Sequence, residues 1–215
     1  MSGSGAIYAM AAVERMIGER ADVIREWEDR FGLPTPSRSP GGQLLYSRDD
    51  VERLRWVGRE LAAGREPVLA GAQAGSDTSG SYRQQPASQI LVLLAERDPR
   101  AADLQEYFLR TEGYQVEVSW SAQEAEAGVV AMEPQVAVVE LALSGHSGLA
   151  LCRRLREVSD AAVVAVSSLD SRDEALEAGA EAFLLKPLDP LVLISTIKDL
   201  LGASAFLRSE PEAAT

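Results

Sequence analysis

Cysteine and histidine are nearly absent from this 215-residue chain, which has one of each, Cys152 and His146. One cysteine cannot form an internal disulfide or a thiolate zinc site, and one histidine cannot complete a multi-histidine cluster. Metal–thiolate and Cys/His chemistry are therefore excluded, and neither a metal nor a cofactor is expected. Long apolar runs are missing as well: nothing approaches the ~20 residues of a membrane span. The short run Ile7 to Val13 lacks the basic region that precedes a secretory core. A cytoplasmic protein with no membrane partner is expected. Lysine occurs only as Lys186 and Lys198, and basic residues number 21 against 33 acidic ones, for a formal net charge of −12.

That charge is unevenly spread. Residues 1–66 hold 10 arginines and 11 acids, whereas residues 88–203 hold 9 basic and 19 acidic residues. Between them, 67–87 turn to Ala, Gly, Ser, Gln and Pro without a sustained period, the composition of a linker. As a flexible coil it would reach roughly 25 Å, so two separate domains that move relative to each other are expected. The expected division is 1–66, linker 67–87, 88–203 and a tail 204–215.

In the first part, Ala12, Val13, Met16 and Ile17 form one stripe of a short helix over 10–17 that Gly18 can end. Ala21, Ile24, Trp27 and Phe31 repeat at three- to four-residue spacing, so a second helix follows a tight turn. Prolines then break the pattern, and Gly41-Gly42 permit a hairpin between short extended pieces. Ser47, three residues before Asp50, begins a third helix in the manner of a capping box, and Val51, Leu54, Val57 and Leu61 continue one apolar face as far as Gly64. Trp27 and Phe31 read as core residues.

The string IREWEDRFGLPTPSRSPGGQLLYSRDDVERLRWV resembles the winged helix of the MerR family of transcriptional regulators, over about residues 6–66. In such a domain the second helix enters the major groove and the wing meets phosphates. The resemblance assigns DNA contacts to Arg25 on that helix and to Arg38 and Tyr46 on the wing. Three positions depart from the family: Asp22 stands for an arginine, Glu26 for an aromatic residue and Leu44 for the wing arginine. From Asp22 to Arg30 two arginines face four acids, where DNA would favour positive charge. The family's long dimerisation helix is also cut short at Gly64 and Pro67, so dimerisation must come from elsewhere.

From Gln89 onward, five short apolar runs (90–94, 116–120, 136–139, 163–166 and 183–185) alternate with amphipathic stretches. This pattern indicates a (βα)5 parallel sheet covered on both faces, doubly wound and flavodoxin-like. Ligand chemistry in such sheets lies at the carboxyl ends of the strands, which selects Glu96, Arg97, Glu140, Ser167 and Lys186.

The strings ILVLLAERDP, PQVAVVELALSGHSGLALCRRLRE and GAEAFLLKPLDP together resemble the receiver domain of two-component response regulators, over about residues 89–203. The resemblance implies that Glu96 matches the first magnesium-holding acid, Ser167 the phosphate-binding hydroxyl, Lys186 the steadying lysine and Phe183 the switch aromatic. At two decisive positions this chain differs: Glu140 stands at the phosphoacceptor and Arg97 replaces the second acid. A guanidinium offers a hard cation only donors and positive charge, so the metal site should be broken and acyl-phosphate formation loses its main electrostatic aid. A neutral internal cluster of Glu96 and Glu140 with Arg97 and Lys186 is expected. The alternative is that Arg97 points to solvent beside Asp98. Cys152 reads as a small core residue and His146 as a surface loop residue.

Together these features point to a non-enzymatic, DNA-binding transcriptional regulator with a phosphorylation-independent receiver. The competing expectation is a protein–protein adaptor that has lost DNA binding. The expected partners are DNA and another protein or a second copy, paired through the helix–strand–helix face from Arg172 to Leu201.

Overall fold

The computed structural model describes residues 6–33, 36–39, 42–67, 90–143 and 148–207. The linker beyond Pro67, the wing tip at Pro40-Gly41, His146 and the last eight residues lie outside them. Side chains are described as far as Leu201.

The N-terminal unit begins with a strand that periodicity cannot reveal, β1 (Ile7–Ala9), followed by α1 (Met10–Ile17) and α2 (Ala21–Phe31). Gly18 adopts the left-handed conformation and donates its N–H to Glu14 O, ending α1. The Glu14 carboxylate accepts from Ala21 N at 2.6 Å, so α1 satisfies a free donor at the start of α2 and sets the turn. Strands β2 (Ser37–Arg38) and β3 (Leu44–Ser47) form the wing, and α3 (Arg48–Ala62) starts at the expected capping box. There Asp50 N donates to Ser47 Oγ, and Ser47 N donates to the Asp50 carboxylate at 2.9 Å.

The C-terminal unit alternates β4 (Leu91–Ala95), α4 (Pro99–Thr111), β5 (Gln115–Ser119), α5 (Ala122–Met132), β6 (Val136–Glu140), α6 (Gly148–Val158), β7 (Ala162–Ser167), α7 (Arg172–Glu177), β8 (Ala182–Leu185) and α8 (Pro190–Leu207). Its strands are parallel in the order β5-β4-β6-β7-β8, the doubly wound arrangement expected from the sequence. Every residue of β6 and β7 is buried, as befits strands covered by helices on both faces. Helix α8 runs into the stretch expected to be tail.

The two units are joined, contrary to the expectation of independent motion. Strand β1 pairs antiparallel with β8, Ile7 opposite Phe183 and Tyr8 opposite Ala182, and with β3 on its other side. The result is one eight-stranded sheet, β2-β3-β1-β8-β7-β6-β4-β5. One apolar core runs without a break from Ile24, Leu54 and Val57, through Tyr8, Val13 and Met16, to Ile197, Leu200, Val164 and Val92. Apolar burial is non-directional and scales with area, so a face of α1 that can cover α8 does so. The Arg172–Leu201 face proposed for pairing with a second copy is thereby corrected: its strand and its last helix are occupied by the chain's own N-terminal unit. Among the described residues no helix is long and apolar enough to cross a membrane.

Candidate functional site

Three parallel strands, β4, β6 and β8, deliver Glu96, Glu140 and Lys186 to the carboxyl end of the sheet. Each of these residues ends its strand or directly follows it. The Lys186 ammonium donates to Glu96 Oε2 and to Glu140 Oε1, both at 2.8 Å. Glu96 also accepts from Asp98 N at 3.1 Å and from Gln105 Nε2 of α4 at 3.3 Å. Glu140 Oε2 accepts from Arg97 N at 3.3 Å. Both carboxylates are buried, at 1% and 5% exposure, so their attachment to one lysine decides the local electrostatics.

Burial is the main force raising the Glu96 carboxyl above the usual carboxylate range. The neighbouring Glu140 adds to the rise, and Lys186 and the Asp98 N–H oppose it. Burial acts on Glu140 in the same direction, yet its bonds with Glu96, Lys186 and Arg97 N hold it below that range. Lys186 is held above its ordinary value: desolvation works against its charge and is outweighed by the two carboxylates.

The expected cluster is thus assembled around Lys186, with Arg97 at its margin. The Arg97 Nε lies 3.7 Å from Glu140 Oε2, while the side chain is 60% exposed, between the two alternatives drawn from the sequence. An exposed pair of this kind contributes little. Ser167 accepts from Leu169 N at 3.0 Å through its hydroxyl, and its carbonyl accepts from Lys186 N at 2.8 Å, so it orders the chain beside the cluster. Phe183 is buried in β8 opposite Ile7, and Cys152 is buried in α6 with its thiol pushed up to about 12 by desolvation. The donor set does not suit a hard dication: the two available carboxylates are already bridged by an ammonium, and the third position presents a guanidinium.

A second surface belongs to the N-terminal unit. Helix α2 buries Ile24 and leaves Asp22, Arg25, Glu26, Asp29 and Arg30 exposed. Asp22 is paired with Arg20 at 3.3 Å and Arg30 with Glu66 at 3.4 Å. Arg25 and Arg38 form no ion pair among the described residues, and Arg38 braces the wing by donating to Gly42 O at 3.1 Å. Glu28 is half-buried beneath the wing; desolvation raises its carboxyl, with Tyr46 acting in the opposite sense.

The wing assignment of Tyr46 is corrected. Its side chain is 0% exposed and its hydroxyl is enclosed, because β3 is covered on both faces. Leu44 and Tyr46 face one core and Leu45 the other, so the residue has no path to a phosphate. Leu44, at the position of a missing wing arginine, is likewise a core residue.

Residues 8–65 match the family model of the MerR HTH family regulatory protein, and residues 92–198 match that of the response regulator receiver domain. The chain joins a MerR-family helix-turn-helix domain to a response regulator receiver domain. Regulatory protein VanR of Enterococcus faecium is 29% identical over 110 residues, covering 50% of this chain and 48% of that protein. Transcriptional regulatory protein AruR of Pseudomonas aeruginosa is 30% identical over 118 residues, covering 51% and 48%. The chain spans about half the length of these curated relatives. A two-component response regulator from Clostridium difficile shares the receiver fold at a TM-score of 0.51 and 24% identity, over 53% of this chain and 96% of that one. A CheY-like receiver domain protein from Methanospirillum hungatei does so at 0.51 and 24%, over 54% and 98%.

Sequence reasoning missed Gln105, which reaches the receiver cluster from a helix face with no motif of its own. It also missed Tyr8, Arg15, Arg55, Glu181 and Asp199, which lie between the two domains. Their partners are far apart in sequence, so no local pattern announces them.

Proposed function

We propose that this protein is a DNA-binding transcriptional regulator whose receiver works without phosphorylation. The observation that carries the proposal is the closed cluster of Lys186 with Glu96 and Glu140. Phosphoryl transfer depends on a cation to offset charge on the incoming group, and on a carboxylate free to attack. Here Arg97 stands where a second acid would help hold that cation, and Glu140 is engaged by Lys186 and by Arg97 N. The protein acts as a regulator rather than an enzyme. Its helix-turn-helix offers at the surface Arg25 and Arg38, which form no ion pair among the described residues, while the contacts with the receiver are made through β1, α1 and α3.

Incubation of the full chain with acetyl phosphate and Mg²⁺, followed by intact-mass measurement, tests the receiver half. No stable phosphoryl adduct is expected, and an adduct that disappears in Glu140→Gln overturns the reading. The acidity of α2 favours a second reading, in which the winged helix is kept for protein contacts. Absence of DNA binding by the full chain at low salt selects that adaptor.

A further inference from the structure

The contact between the domains has two unlike components. The apolar component, α1 on α8, covers area but defines no angle. The strand component is short: two residue pairs, plus Ala9 N donating to Glu181 O at 3.1 Å. Neither alone fixes how the helix-turn-helix is held.

Two receiver carboxylates supply direction. Glu181, which directly precedes β8, is 2% exposed and lies 2.6 Å from Arg15 Nη1 of α1 and 3.2 Å from Arg156 Nη1 of α6. Asp199 of α8 accepts from the Tyr8 hydroxyl of β1 at 3.2 Å and from Arg55 Nη1 of α3 at 3.1 Å, with Arg48 Nη2 at 3.7 Å. The Arg55 guanidinium also donates to the Asp199 carbonyl at 3.4 Å. The two anchors approach from opposite faces of the sheet, since α6 packs in one core and α8 in the other. Between them they engage β1, α1 and α3, so rotation about either anchor is opposed by the other. At Asp199 the Tyr8 and Arg55 hydrogen bonds are directional, and at Glu181 the Arg15 contact is an ion pair; both are stronger away from water.

We propose that Glu181 and Asp199 form a two-point latch by which the receiver holds the winged helix in one orientation, so that both domains open and close as one body. This gives the receiver a positioning role that needs neither phosphate nor DNA, and the test reads neither.

The test is amide hydrogen exchange on the full chain. In the wild type, segment 7–17 is expected to exchange as slowly as segment 182–200. The double variant Glu181→Gln/Asp199→Ala is expected to speed exchange of 7–17 at least about tenfold while β4 and β6 keep their protection. Tyr8→Phe, which removes a single hydroxyl, is expected to produce a smaller rise in the same segment, and it decides the matter if the double variant does not fold. A general destabilisation would move every strand, so an equal rise across the sheet overturns the latch. So do unchanged rates in both variants, or a wild type in which 7–17 already exchanges fast. Arg15→Gln combined with Glu181→Gln should be less than additive, and full additivity rejects the pairing.

Discussion

The two ends of the receiver sheet solve the problem of a buried carboxylate differently. At the carboxyl end of the strands, Glu96 and Glu140 share a lysine from their own domain, and the cluster closes on itself. At the opposite end Glu181, with Asp199 on α8, takes its charge partners mainly from the helix-turn-helix. The first arrangement holds its carboxylates within one domain and the second joins two modules. Acidity that composition presents as a single property of the receiver is therefore spent on two separate tasks.

The largest test of this comparison is to remove one side of the junction. Residues 1–66 alone would expose Tyr8, Val13 and Met16, all now buried in the core shared with the receiver. This fragment is expected to show no cooperative thermal transition by circular dichroism, whereas a sharp transition would mean that the helix-turn-helix owes the receiver little. Next in size is Lys186→Met, which leaves two buried carboxylates facing each other with only the exposed Arg97 guanidinium as counter-charge. Breaking such a buried arrangement costs about 3–5 kcal/mol, read as a lowered urea midpoint. Adding Glu140→Gln should restore part of the loss, and simple additivity would show that the two side chains act independently.

A smaller effect concerns DNA. Arg38→Ala removes an exposed charge from the wing that forms no ion pair among the described residues, and the plot of log affinity against log salt should flatten by about one unit without a change in sequence preference. An unchanged slope places Arg38 outside the phosphate contacts. The smallest effect belongs to Glu28, whose carboxyl is raised by burial. A raised folded-state value means stability that is present at low pH and lost as pH rises through that value. The opposite holds for Glu140, whose lowered carboxyl contributes stability that is lost as pH falls. As pH rises above the ordinary glutamate value of about 4.3, Glu28→Gln should therefore remove a decline in denaturation midpoint, and an identical profile in both proteins would count against a desolvated Glu28.

Much of the architecture was legible because it is local. Gly18 and the Ser47–Asp50 box mark helix ends by their chemistry, and the apolar runs of the receiver fall within a residue of its strands. The cluster around Lys186 was legible because strand ends in a parallel sheet must converge. Strand β1 was not, since three residues are too few to display a period of two. The Tyr8 hydroxyl meets Asp199 across 191 positions, a pairing that no window along the chain contains. Tyr46 was misplaced for a related reason: resemblance carries a position, and exposure depends on what covers it. Leu45 lies in one core and Tyr46 in the other only because β1 and the receiver complete the sheet around them.

That completed sheet also changes how the protein meets its neighbours in a crowded solution. Without β1, the receiver would end at Ala182–Leu185, an apolar strand with open backbone donors and acceptors, which is a template for aggregation. With β1 and the wing added, the sheet ends instead at Ser37–Arg38, two exposed polar residues, and at β5, where Gln115 and Glu117 face solvent. A short edge bearing arginine and a charged one both resist further strand addition. Protection of the β8 edge thus belongs to the fused chain, and a receiver stripped of its first 66 residues should be the more prone to form fibres.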